Sequence, residues 1–230
     1  MSSVLKNNNR EVTNTKKMVV TAIMIAIAFL VTFLTSVFKV SGFLSLDLKD
    51  AVLSLVALMY GPVYGIVSVF AVAVIEFATI SSTGFYGLVM NILSSGTFVL
   101  VCGLVYKFRR SFSGAIISAV LTVIAVTAVM LIANIFITPI YFQMPREAVI
   151  DMLPTVLLPF NLFKSVMNSS LMLLIYKPFT MVLRITGFAN ISDNGRFKFN
   201  KKSLVLTISA TLLLIIAILV MIYLGVEIKV

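Results

Sequence analysis

The sequence contains no histidine. That absence removes the usual proton shuttle, a common metal ligand and the histidine of a hydrolase triad together. There is one cysteine, Cys102, set in an apolar run, so no disulfide can form within the chain and nothing beside the thiol activates it. Charge is scarce: Asp, Glu, Lys and Arg make up 11% of the residues. No Gly-rich loop ending in Gly-Lys-Ser/Thr is present, so the chain does not itself hydrolyse ATP; GxSxG and HExxH are also missing. Metal ligands are too few for a site. An ion-coupled carrier would show inverted repeats and several acids within its spans. Here no clear repeat stands out, and Glu76 is the one acid inside an apolar run. No catalytic, cofactor-holding or metal-ligating residue is expected.

Apolar sequence is what the chain has in quantity. Of 230 residues 60% are hydrophobic, and the mean hydropathy is +1.13. Uncharged runs longer than about 18 residues recur, which is the signature of transmembrane helices. The expected architecture is an all-α membrane protein, helices packed side by side in a lipid bilayer. The net charge of +10 then reads as topology information rather than as a nucleic-acid footprint, because Lys and Arg concentrate on the cytoplasmic side of a membrane.

Residues 1–17 carry Lys6, Arg10, Lys16 and Lys17 and form a cytoplasmic tail. Met18 to Phe38 is an uncharged first span, too long for a signal peptide. Residues 39–50 are a loop. From Ala51 to Tyr106 only Glu76 is charged, and turns at Gly61-Pro62 and Ser81-Ser82-Thr83-Gly84 divide this stretch into passes at 51–60, 62–79 and 85–106. The first is short for a span and needs shielding by protein. Charge parity requires this odd number: Lys107, Arg109 and Arg110 belong inside, like the tail. A fifth span runs from Ser113 to Pro139, residues 140–154 lie outside, and a sixth span covers 155–176. Lys177, Arg184, Arg196, Lys198, Lys201 and Lys202 return the chain to the inside. The six spans make a domain over 18–185, and 186–202 is a basic linker. A seventh span over 203–226 leaves the C-terminus outside. Only Lys39, Lys49, Arg146 and Lys229 among the cations fall outside, against Asp47, Asp50, Glu147, Asp151 and Glu227 among the acids.

Polar residues within this apolar chain are the candidates for function. Asn161, Lys164 and Asn168 fall at i, i+3 and i+7 and share one helix face. A lysine at mid-membrane depth costs about 2.5–3.5 kcal/mol on insertion scales, so it faces a cavity, a partner or a ligand, or else snorkels to the interface. Asn134, Asn161, Lys164 and Asn91 are expected to converge on one outward-facing pocket with the external loops, which contribute Leu46, Asp47 and Thr83. Tyr141, beside Phe142, is placed to lid it. Amides donate and accept at once and so read a planar molecule with paired carbonyls and ring nitrogens; a lysine adds a fixed charge. The alternatives are plain. Asn91 and Asn168 can simply join helices, and Glu76 can snorkel, pair with Lys164 or touch a ligand. Ala22 and Ala26 form a small-xxx-small pair suited to close helix approach, although alanine is also common in membrane helices.

These residues occur in a familiar order. Lys16-Lys17 precedes the alanine-rich Thr21-Ala22-Ile23-Met24-Ile25-Ala26; then come Leu46-Asp47-Leu48-Lys49-Asp50, Tyr60-Gly61-Pro62-Val63-Tyr64-Gly65, Gly87-Leu88-Val89-Met90-Asn91, Asn134 ahead of Pro139-Ile140-Tyr141, and Pro159-Phe160-Asn161-Leu162-Phe163-Lys164. Over roughly 16–185 the chain resembles the substrate-binding S component of an energy-coupling factor (ECF) vitamin transporter, and within that family its riboflavin-specific members. The resemblance implies a six-helix bundle in the bacterial plasma membrane with an external vitamin pocket partly closed by the first external loop. It implies that Asn134, Asn161 and Lys164 contact the isoalloxazine ring. It further implies that the Ala22/Ala26 face meets a transmembrane coupling (T) protein joined to two cytosolic ATPases. Riboflavin would be cargo, not a cofactor. Two departures stand out: Leu88 occupies a position where the family usually has an acid, and the chain runs on past the sixth helix. Another vitamin or a nucleobase-like solute, and a structural or regulatory membrane subunit, are the competing readings.

Overall fold

The computed structural model describes residues 14–36, 38–40, 44–188, 211–212, 214–220 and 226–228. Seven helices dominate them: α1 (Asn14–Thr35), α2 (Lys49–Tyr60), α3 (Pro62–Thr79), α4 (Gly84–Phe108), α5 (Phe112–Phe142), α6 (Arg146–Met152) and α7 (Leu158–Ile185). Five helical stretches are long and apolar enough to cross a membrane: α1, α3, α4, α5 and the run from Arg146 to Leu183. Their outer faces expose Ile23, Leu30, Phe33, Phe70, Ile124 and Phe136, an apolar surface suited to lipid.

α2 is the exception that organises the bundle. Twelve residues rise only about 18 Å, too little to span about 30 Å of hydrocarbon. Every residue from Lys49 to Leu58 is buried, because α1, α3, α4 and α7 all pack against it. The shielding that its length demands is therefore supplied by four neighbours. Gly61 ends α2 and begins α3 at φ 97°, a left-handed conformation that glycine adopts without Cβ strain; Pro62 follows at the first helical position, where its missing N–H costs nothing. Gly65 lets α3 close on its neighbours: a Cβ there would sit 2.4 Å from Val99 Cγ1 and 2.7 Å from Ala57 Cβ. The main core gathers around α2, with Val20, Met24 and Ala28 of α1, Val69 and Val72 of α3, Val99 of α4, and Met172 and Tyr176 of α7.

The structure adds three features to the sequence reading. Residues 140–154, expected to lie outside, are largely helical. α5 continues to Phe142, α6 follows, and a π-helical turn at Leu153–Leu157 carries the chain straight into α7. Apolar periodicity could not show this, since α6 is short and charged. Second, α7 runs nine residues past Tyr176 to Ile185. Third, short strands accompany the all-α bundle: β1 (Phe38–Val40), β2 (Leu44–Ser45) and β3 (Val226–Ile228) form an antiparallel sheet in the order β2-β1-β3. Val226, expected at the end of the seventh span, is thus in a strand. Of the rest of that span only 211–212 and 214–220 are described, and they are helical; Ala217 is fully buried there against Phe160 and Met167 of α7. Residues 1–13 of the tail and 189–202 of the basic linker lie outside the described residues.

The two ends of the bundle differ in chemistry. At one end Lys16 Nζ donates to Gly187 O at 3.3 Å, which brings the start of α1 beside the end of α7. The C-terminal end of α4, with Lys107, lies at this end too. At the other end α1, α3 and α5 finish and α2, α4 and α7 begin, and there the cavity opens.

Candidate functional site

A cavity of 190 Å³ lies between these helix ends. One wall is built by α5 and α7. Asn161 is buried on the first turn of α7, and its Nδ2 donates to Leu157 O at 2.8 Å. On α5 Asn134 Nδ2 donates to Met130 O at 2.7 Å, and its Oδ1 accepts from Thr138 Oγ1 at 2.8 Å. Each amide is oriented by its own helix. Among the described residues Asn161 Oδ1 and one N–H of Asn134 keep their hydrogen-bonding capacity, and both residues line the cavity. Tyr141 closes this wall, with its ring centroid 5.7 Å from that of Tyr86 and 4.7 Å from that of Phe142.

Lys164 does not snorkel. Its Nζ donates to Asp47 Oδ2 at 2.8 Å, with the two side chains 11% and 5% exposed. Burial alone would raise the Asp47 carboxyl, but the Lys164 and Lys49 charges outweigh it and hold the group below its ordinary range. Asn168, one turn deeper, does a different job. The residue before α2 is Leu48, which has no side-chain oxygen to cap a helix. Asn168 Oδ1 accepts from the Ala51 N–H of the first turn at 2.9 Å, and its Nδ2 donates to Asp47 O at 2.9 Å. A residue 117 positions away thus satisfies an N–H that the local sequence leaves open.

The opposite wall belongs to α3 and α4. Lys49 Nζ pairs with Glu76 Oε2 at 2.5 Å and donates to Asn91 Oδ1 at 3.1 Å, while Asn91 Nδ2 donates to Glu76 Oε2 at 2.8 Å. This closed triad joins α2, α3 and α4. It corrects the suggested Glu76–Lys164 pairing: each lysine takes the acid nearest it in space. Asp47 and Lys49, two positions apart, reach to opposite walls.

Asn134, Asn161, Lys164, Asn91, Asp47, Thr83 and Tyr141 all line the one cavity. Leu46 does not: it is half-buried and packs with Leu44 and Leu48 toward Phe160, Met167 and Ala217. Lys49 was missed. As the edge charge of an apolar run it reads as a loop cation, although the acid in the next span is itself a signal for a buried cation to answer it. Ala22 and Ala26 are exposed on α1, away from the cavity. Cys102 is buried 3.6 Å from Ser118 Oγ. Among the described residues no group of His, Cys, Asp and Glu side chains is arranged to hold a metal. The arrangement can bind a largely planar polar solute; it has no nucleophile–base pair.

Comparison with known proteins agrees in kind. The family described as ECF transporter, substrate-specific component, matches residues 16–176. The riboflavin transporter RibU of Staphylococcus aureus (strain TCH60) is 26% identical over 169 residues, covering 70% of this chain and 89% of its own length. A solved structure of the S component of a bacterial ECF transporter superposes with a TM-score of 0.63 at 26% identity, covering 75% of this chain and 99% of that one.

Proposed function

The chain belongs to the family of ECF transporter substrate-specific components, and we propose that within it this protein captures riboflavin outside the cell and presents it for uptake. As a member of that family it is a substrate-binding membrane subunit and not an enzyme, working with a transmembrane T protein and ATPase subunits. The observation that carries the riboflavin reading is the wall made by Asn134, Asn161 and Lys164 in one cavity. Two pre-oriented amides and one cation match the alternating carbonyls and ring nitrogens of an isoalloxazine edge. The similarity to the staphylococcal riboflavin transporter supports the same choice. The flavin is cargo, so no redox step is assigned to the protein.

Orientation follows from charge. Lys107, Arg109 and Arg110 follow or end α4 opposite the cavity, and Lys16 meets Gly187 at that same end. With Lys and Arg on the cytoplasmic side, the N-terminus is inside and the cavity opens outward. β3 pairs with β1 beside the cavity, which supports an extracellular C-terminus.

The test is direct. Purified protein should carry yellow flavin fluorescence, and protein stripped of ligand should bind riboflavin with nanomolar affinity. Binding no tighter than micromolar overturns the proposal, and a native mass spectrometry screen of vitamins and nucleobases would then identify the solute.

A further inference from the structure

The α3/α4 wall has a chemistry that ring recognition leaves unused. Glu76 is 3% exposed, and its Oε2 is occupied by Lys49 and Asn91, but its Oε1 accepts no hydrogen bond among the described residues. A buried acceptor left unsatisfied is costly, more so when the group is charged, so this wall is incomplete without an incoming donor. Its neighbours on the cavity surface are the hydroxyl-bearing Ser81, Thr83 and Ser94. The Lys49–Glu76 pair sums to no net charge, so the wall favours a neutral ligand rich in O–H groups over a charged one.

The position of this wall matters as much. α3 packs on α1, α2 and α4, whereas α7 packs on α2 and α5. Glu76 therefore faces the cavity from the side opposite Asn161 and Lys164. A ligand with a flat ring at one end and a flexible polyol at the other fits such a division. We infer that Glu76, oriented by Lys49 and Asn91, is a specificity residue that accepts a hydrogen bond from a hydroxyl of the ligand's polyol tail, while the α5/α7 wall reads the ring. This rests on the flavin reading above. It makes the Lys49–Glu76–Asn91 triad a recognition element rather than only a helix tie.

The experiment compares riboflavin with lumiflavin, which has the ring and no polyol tail, on wild-type full-length protein and on Glu76→Gln and Glu76→Ala. Replacing a charge-assisted bond by a neutral one should lower riboflavin affinity about tenfold in Glu76→Gln and further in Glu76→Ala. Lumiflavin affinity should change less than twofold in both variants, and its retention also reports an intact site. A parallel loss of both ligands, or unchanged riboflavin binding, overturns the inference and leaves the flavin reading standing. Wild-type protein that binds neither ligand overturns the flavin reading, and this inference with it.

Discussion

Lys164 Nζ lies 2.8 Å from Asp47 Oδ2, joining residues 117 positions apart across the face where α7 meets the segment leading into α2. The pair fixes where that segment sits over the cavity, because Asp47 is also held through its backbone carbonyl by Asn168. Buried ion pairs stabilise little compared with apolar replacements, but removing one partner strands the other charge at a cost of about 3–5 kcal/mol.

Lys164→Ala should therefore weaken riboflavin binding well beyond tenfold and also lower the melting temperature, since Asp47 loses its partner. Asp47→Asn in the Lys164→Met background should recover part of the melting loss. A double-mutant cycle read by thermal denaturation in detergent should give a coupling of about 0.5–3 kcal/mol; additive single effects would mean that the pair does not form.

Asn161→Ala removes an amide whose Oδ1 accepts no hydrogen bond among the described residues. It should weaken riboflavin binding by more than tenfold in a fluorescence titration, with a smaller melting change than Lys164→Ala.

Asn168→Leu acts elsewhere. It leaves the Ala51 N–H and the Asp47 carbonyl unsatisfied in a buried position, at about 1–3 kcal/mol each. The melting temperature should fall by several degrees, and hydrogen exchange should quicken in the first turn of α2. Unchanged protection at Ala51 would refute the capping role.

Gly65→Ala should destabilise by about 1–3 kcal/mol, because the added methyl meets Val99 Cγ1 and Ala57 Cβ at 2.4 and 2.7 Å. Gly96→Ala, in the interior of α4 with nothing within 4 Å of its added Cβ, should instead stabilise by about 0.5–1 kcal/mol. Melting curves of the two variants separate close approach from general intolerance of substitution.

Ala22→Leu with Ala26→Leu changes only an exposed face of α1. Riboflavin affinity should stay within twofold of wild type, while co-purification with the T protein should drop sharply. Full recovery of the complex would exclude this face as the partner surface.

Much of the framework was legible in the chain itself. The turns at Gly61-Pro62 and Ser81–Gly84 place α2, α3 and α4 within two residues of their observed bounds, because helices in an apolar stretch end where glycine and proline end them. The i, i+3, i+7 spacing put Asn161, Lys164 and Asn168 on one face. With the charge count it also set Asn161 and Lys164 toward the outer side and Asn168 a turn deeper in a helix-joining role, but it could not say that Asn168 caps α2. Similarly, α6 and the π-helical turn escaped notice, since a short charged helix leaves no long apolar run to read.

The sequence by itself determined that the chain crosses a membrane repeatedly, which residues are too polar for lipid, and which ends carry the positive charge. Those properties are local: they follow from transfer free energies of consecutive residues and from the distribution of Lys and Arg. Only the tertiary structure decided the pairing. Lys164 took Asp47 and Lys49 took Glu76 because helix packing set which charges met in a poorly solvated interior, where a mispaired charge is costly. Helix packing also turned α2 from a span too short for the bilayer into the buried centre of the bundle.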